Sequence, residues 1–157
     1  MFRIGIIGAG WIAHKMTLAL GYTDEACVYA IASRSEDKAR SFAEEHGIPM
    51  AYGSYEAMLD DPEVDLVYIA TPHSHHFAHA MLALEHGKPV LVEKAFTANA
   101  KEAKILIDTA RNKGLFITEA IWTRYMPLSH KIREIMDSGI IGEPRIITAT
   151  LCYMMEH

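Results

Sequence analysis

The chain is 157 residues long and half hydrophobic, which suffices for one self-standing core, and its mildly acidic balance (net charge −5) with scattered basic residues argues against nucleic acid or an anionic membrane surface as partner. No apolar run approaches the roughly 20 residues of a membrane span and the start lacks the pattern of a signal peptide, so a cytoplasmic location is expected. The two cysteines, Cys27 and Cys152, are too few for a disulfide scaffold and lack metal-type spacing, so they read as reduced thiols.

The apolar run from Phe2 to Ile7 predicts a first strand, and it passes directly into Gly8-Ala9-Gly10-Trp11-Ile12-Ala13 and a helix over 11–21. Gly8 permits the tight turn, Gly10 removes a Cβ from the path of a pyrophosphate, and Ala13 lets helix and strand pack closely. The free N–H groups and positive dipole end of that helix then face the phosphates. The candidate cofactor-binding residues of this turn are Gly8, Gly10, Trp11 and Ile12. A second apolar run, Ala26 to Ala32, lies at the distance of a βαβ unit and supports a dinucleotide as the ligand.

Further strands are predicted near 50–52, 64–70, 89–92 and 115–119. Helices are predicted near 36–46, 54–60, 75–87, 99–113 and 127–138, several of them stopped by a glycine: Gly47, Gly87, Gly114 and Gly139. Ser35 and Ser54 stand where N-caps belong. This alternation predicts an α/β fold, a doubly wound, mostly parallel sheet of Rossmann type with helices on both faces. Pro144 to Tyr153 is apolar and β-prone, with no partner strand after it.

In such sheets ligands sit beyond the carboxyl ends of the strands. After the second strand comes Ser33-Arg34-Ser35, with Lys38 one turn on. An NAD site would place Asp or Glu here to accept from the ribose 2′-hydroxyl; a hydroxyl and a guanidinium suit a 2′-phosphate, favouring NADP over NAD. After the fourth strand comes Thr71-Pro72-His73-Ser74-His75-His76. His75 and His79 stand at i, i+4, but no carboxylate or Cys nearby completes a metal shell, so no metal is expected. Thr71 and Pro72 read instead as a rigid edge beside the nicotinamide end, with His76 one turn down the helix. After the fifth strand comes Glu93-Lys94. A lysine there can hydrogen-bond a substrate oxygen and be tuned toward acid/base work by burial and by Glu93. The sixth strand leads into Glu119-Ala120-Ile121-Trp122-Thr123-Arg124, where an aromatic and a cation share one loop.

Together these segments resemble one family, the oxidoreductases grouped around glucose-fructose oxidoreductase and inositol dehydrogenase (Gfo/Idh/MocA). Gly8 to Ala13, Ala70-Thr71-Pro72 with His76, and Glu93-Lys94 fall at its motif positions. The segment Glu119 to Arg124 looks like the branch of dimeric dihydrodiol dehydrogenase and NADP-linked xylose dehydrogenase. The resemblance implies NADP(H), a sugar or cyclic diol as substrate in the full-length protein, Lys94 as the catalytic residue that polarises the reacting oxygen, and Trp122 and Arg124 lining the cofactor site. It covers the first half of a typical member: residues 1–142 as the dinucleotide-binding domain and 143–157 as the start of a second, α+β domain. On that basis the chain is expected to be catalytically incomplete alone, and the alternative is a non-catalytic dinucleotide-binding or regulatory module. The family's Glu-Lys-Pro triplet is Glu93-Lys94-Ala95 here, which predicts a less firmly held Lys94. Either self-association through 144–157 or folding of that tail against the chain's own surface is a further expectation, because Ile146, Ile147, Leu151, Tyr153 and Met154 would present an apolar edge.

Overall fold

The computed structural model describes residues 1–150 and Cys152. They form two compact units, Met1–Ala120 and a second that begins at Ile121.

The first unit is a six-stranded, all-parallel sheet. Its strands are β1 (Phe2–Ile7), β2 (Ala26–Ala32), β3 (Met50–Tyr52), β4 (Leu66–Ile69), β5 (Val90–Val92) and β6 (Ile117–Glu119), in the order β3-β2-β1-β4-β5-β6. The helices α1 (Trp11–Leu20), α2 (Glu36–His46), α3 (Tyr55–Leu59), α4 (His76–Glu85) and α5 (Ala100–Lys113) fill the crossovers. The order reverses direction at β1, and β1 and β4 lie side by side there, the position where doubly wound sheets open a crevice.

Alternation along the strands divides the core between the two faces. Ile4, Ile6, Ile31 and Tyr68 pack with Ala13 of α1 and Phe42 and Ala43 of α2. Ile7, Ala30, Ala32, Val67 and Ile69 pack on the other face with Ala80 and Leu84 of α4 and Leu106 and Ala110 of α5. Each fully buried Ile or Leu contributes roughly 1.5–3 kcal/mol of transfer free energy, so the packed faces fix the register of the sheet.

Helix ends follow their residue chemistry. Ser35, Ser54 and Asn99 accept hydrogen bonds from the backbone amides of Lys38, Ala57 and Glu102 and so cap α2, α3 and α5. Gly47 and Gly114 end α2 and α5 in the left-handed conformation. Before α4, residues His73–His75 form one 3-10 turn rather than α-helix, following the extended Pro72.

The second unit contains a 3-10 turn (Trp122–Tyr125) and α6 (Pro127–Asp137), which starts with proline at its first turn. Within it Ser129 Oγ donates to the Thr123 carbonyl. Residues 144–150 form no strand, although their side chains favour one; a ladder needs a partner for its amides and carbonyls, and none pairs with them among the described residues. Ile146 and Ile147 are exposed. Leu151, Tyr153 and Met154, the other residues of the expected apolar edge, lie outside the described residues.

Candidate functional site

The carboxyl ends of the strands line up because backbone hydrogen bonds continue one residue past the strand ends. Gly8 donates to Ala32, Ala70 to Ile7, Glu93 to Ile69, Ala120 to Val92, and Ser33 to Tyr52. Every strand-end segment singled out in the sequence, through Glu119-Ala120, therefore reaches the same edge of the sheet.

On that edge lies a groove of about 240 Å³ lined by Gly8, Gly10, Ser33, Arg34, Lys38, Tyr55, Thr71 and Pro72, among others. It opens between the start of α1, the start of α2 and the turn after β4. Three buried polar residues occur among the described residues: Ser33 and Thr71 line this groove, and His76 touches the Thr71 carbonyl from within the fold. Polar groups are expensive to bury, so their concentration at one strand edge marks a site rather than a core.

The two glycines of the turn differ in what demands them. Gly8 has φ +103°, and a Cβ there would meet the Ala70 carbonyl oxygen and Thr71 Cγ2 at 3.0 Å, so the fold itself requires glycine. Gly10 has φ −115°, which any residue adopts, and a Cβ there would meet nothing within 4 Å. The open space it leaves adjoins the groove that Gly10 lines. Unlike α2, α3 and α5, α1 starts with no side-chain cap and no acidic residue in its first turn, so its leading amides are free for an anion. Trp11, at the first helical position, is largely exposed with Lys15 over its ring, and Ile12 is half-buried against the core.

At the β2 end of the groove, Arg34 and Lys38 are exposed and neither forms an ion pair among the described residues, while Glu36 is occupied by Arg40 at 2.7 Å. Ser33 is buried and its hydroxyl accepts from the Ser35 amide. Tyr55 adds its ring to the same end; burial raises its phenol above the ordinary value. At the β4 end, Thr71 Oγ1 lies 3.0 Å from His79 Nδ1. Burial, then the charges of His75, Arg34 and His76, lower the His79 imidazole below its usual 6.5, so it faces Thr71 uncharged at neutral pH.

His76 is fully buried rather than part of the groove wall. Its Nδ1 lies 2.7 Å from the Ala95 carbonyl oxygen and its Nε2 lies 2.8 Å from the Thr71 carbonyl oxygen. Carbonyls only accept, so each contact is a hydrogen bond when that nitrogen carries a proton. The ring is a strut between the turn after β4 and the segment after β5.

Lys94 is exposed at the end of β5, and its peptide bond to Ala95 is cis. Its surroundings are held firmly without the family's proline. Glu93 accepts from the Tyr68 hydroxyl and from the Lys94 amide, His76 reaches Ala95, and the Phe96 amide donates to Glu119 Oε1 at 2.8 Å. The expected loosening of Lys94 therefore meets three anchors from β4, α4 and β6. Burial, then Glu93, pushes the Tyr68 phenol up, so it remains a donor. Tyr68, His79 and Glu119 carried no assigned role from sequence; their signal is that each polar group comes from a different element and meets its partner only once the sheet is in register. Trp122 and Arg124 belong to the second unit, where both are exposed; Arg124 lines a small pocket with Tyr125, Ser129, His130 and Arg133.

Comparison with known proteins gives a consistent outcome. Residues 2–120 match the model of an oxidoreductase family with an NAD-binding Rossmann fold. The chain is 40% identical over 157 residues to trans-1,2-dihydrobenzene-1,2-diol dehydrogenase of Mus musculus, covering 99% of this chain and 47% of the relative. It is 62% identical over 91 residues to D-xylose 1-dehydrogenase (NADP(+)) of Hypocrea jecorina, covering 58% of this chain and 23% of that protein. Among solved structures, a 3-ketoreductase from Actinomadura kijaniata in complex with NADP superposes with a TM-score of 0.80 at 35% identity, over 90% of this chain and 45% of that one. The chain thus spans about half the length of the dihydrodiol dehydrogenases it matches.

Proposed function

Since the chain belongs to the Gfo/Idh/MocA family of oxidoreductases, as an NAD(P)-binding Rossmann domain homologous to dihydrodiol and xylose dehydrogenases, we propose that it binds NADP(H) in preference to NAD(H) and serves a dehydrogenase acting on a sugar or cyclic diol. The observation that carries the cofactor choice is the β2 end of the groove. Arg34 and Lys38 stand there without an ion-pair partner among the described residues, and no carboxylate lines the groove at that end. A 2′-phosphate supplies the missing counter-charge; a bare 2′-hydroxyl would find no carboxylate to accept from it.

In this reading Gly10 and the leading amides of α1 hold the pyrophosphate, Ser33, Arg34 and Lys38 hold the 2′-phosphate, and Thr71 and Pro72 border the nicotinamide. Bound NADP(H) accepts or supplies the hydride exchanged with a secondary alcohol carbon. Lys94 hydrogen-bonds the reacting oxygen: in oxidation its neutral amine takes the hydroxyl proton and becomes ammonium, and in reduction its ammonium gives a proton to the carbonyl oxygen; Glu93, Tyr68, His76 and Glu119 keep its backbone in place. Trp122 and Arg124 are assigned to the cofactor site on the family resemblance.

The test is a titration with both reduced cofactors followed by fluorescence. NADPH binds more tightly than NADH, and Arg34→Ala costs about 1.5–3 kcal/mol toward NADPH, roughly tenfold to a hundredfold, with little change toward NADH. Equal affinities in the parent chain would refute the assignment. Turnover of sugars and diols with NADP, compared with Lys94→Ala, tests the catalytic part; activity that survives Lys94→Ala removes Lys94 from the mechanism.

A further inference from the structure

Between α1 and α2, on the sheet face that carries Phe42 and Ile31, three side chains converge that the cofactor reading does not use. His14 Nδ1 lies 3.0 Å from His46 Nε2, 3.9 Å from Glu45 Oε1, and His46 Nε2 lies 3.7 Å from the same oxygen. A point about 2.1 Å from all three atoms lies within that triangle, the distance at which imidazole nitrogens and carboxylate oxygens bind zinc. The ring centroids of His14 and His46 are 4.8 Å apart with planes at 62°, an edge arrangement that brings the two nitrogens to the point of contact.

The set is also rigid and accessible in the right proportion. His46 is the last residue of α2, its side chain is only 8% exposed, and it packs on the Phe42 ring at 4.5 Å. His14 and Glu45 are 37% and 65% exposed, so an ion can enter from solvent. Beside His46 is a pocket of about 220 Å³, also lined by Thr17 and Cys27, with room for water to complete a shell. The other histidines are less suited. His76 is committed to two carbonyls, His79 faces Thr71, and the stacked pair His75 and His79 gains no third ligand; His14, Glu45 and His46 are the group of three convergent ligands found among the described residues.

We propose that His14 Nδ1, His46 Nε2 and Glu45 Oε1 form a three-ligand site for a divalent transition metal of zinc's preferences, clamping α1 to α2. Two imidazoles and one carboxylate are a donor set that selects such ions over magnesium or calcium. An ion bound there takes the place of the contact between the two nitrogens. Because α1 carries the glycine turn and α2 carries Lys38, the ion would brace the two helices whose starts line the groove.

The experiment is a titration of the chain with zinc chloride in competition with a chromophoric chelator, paired with thermal unfolding with and without zinc. One equivalent binds and raises Tm. His14→Ala and Glu45→Gln, both at partly exposed positions, each weaken binding by at least the roughly tenfold to hundredfold that follows loss of a mere orienting partner. Their metal-free Tm stays near the parent's, whereas His75→Ala binds as the parent does. Absence of saturable one-equivalent uptake overturns the proposal, as does uptake unchanged in both His14→Ala and His46→Ala, or uptake lost in His75→Ala.

Discussion

Replacing His76 with alanine removes the strut between the turn after β4 and the segment after β5. The ring is 0% exposed and makes contacts of 2.7 and 2.8 Å to the carbonyls of Ala95 and Thr71. A ring with one N–H donates to one of the two carbonyls; losing that hydrogen bond costs about 1 kcal/mol net, and the carbonyl left without a donor adds about 1–3 kcal/mol unless water replaces the ring. A void of imidazole size lined by two acceptors admits water, which offsets part of the second term. The sum is about 3 kcal/mol, a large share of the 5–15 kcal/mol that stabilises a typical domain, and corresponds to a fall in Tm of about 6–12 °C. Urea unfolding followed by far-UV circular dichroism measures it, and NADPH affinity falls in the same variant because Thr71 and the Lys94-Ala95 segment are no longer tied. His76→Asn, which keeps one amide donor, lies between. A loss below about 0.5 kcal/mol in His76→Ala would mean that the carbonyls are satisfied otherwise and that the strut is not structural.

The two glycines of the turn separate fold from ligand. Gly10→Ala leaves stability within about 0.5 kcal/mol and weakens NADPH, whereas Gly8→Ala costs at least about 1–2 kcal/mol in urea unfolding because its φ is positive and its Cβ meets Ala70; parent-like NADPH binding by Gly10→Ala would show that the open space is not the phosphate path. The depressed His79 value makes stability pH-dependent in a defined direction. The unfolded chain takes up a proton near pH 6.5 and the folded chain only at lower pH, so stability is full above about 6.5 and falls as pH drops toward the folded value. His79→Asn flattens this fall between pH 7.5 and 5.5 in urea midpoints, and an unchanged slope contradicts it. Light scattering on the chain and on a version ending at Gly142 tests self-association through residues 144–157, to which the exposed Ile146 and Ile147 contribute; equal protomer number in both removes that assignment.

Where strand boundaries were legible, the reason is that apolar alternation and hydrogen bonding end together, as at 2–7, 26–32 and 50–52. At β4, β5 and β6 the apolar run is longer than the ladder. Val64 is buried and Leu115 packs on the core, but their amides bond to the carbonyls of Asp61 in the preceding turn and of Ala110 in α5. Hydrophobicity reports burial, and burial there outlasts pairing. The site divides the same way. The place of Ser33, Arg34, Thr71 and Lys94 just beyond strand ends is legible because a strand's carboxyl end is a position in sequence as well as in space. The contacts from Tyr68 to Glu93, from His76 to Ala95 and from the Phe96 amide to Glu119 join residues 19 to 25 positions apart, and no local pattern announces them. The tail 144–150 has strand-favouring residues and no strand, because propensity does not supply a partner.

The anchoring of Lys94 by side chains from β4, α4 and β6 makes the site a reading of the sheet's alignment. β5 is three residues long, flanked by β4 and β6, and Glu93 and Phe96 meet Tyr68 and Glu119 only at the register Tyr68 to Leu91 and Val92 to Glu119. A slip of one residue would turn Glu93 to the opposite face and release all the anchors at once. Misaligned sheets and misplaced lysines are then the same molecules, so a population that holds Lys94 in this place is one whose strands β4, β5 and β6 have already found their partners.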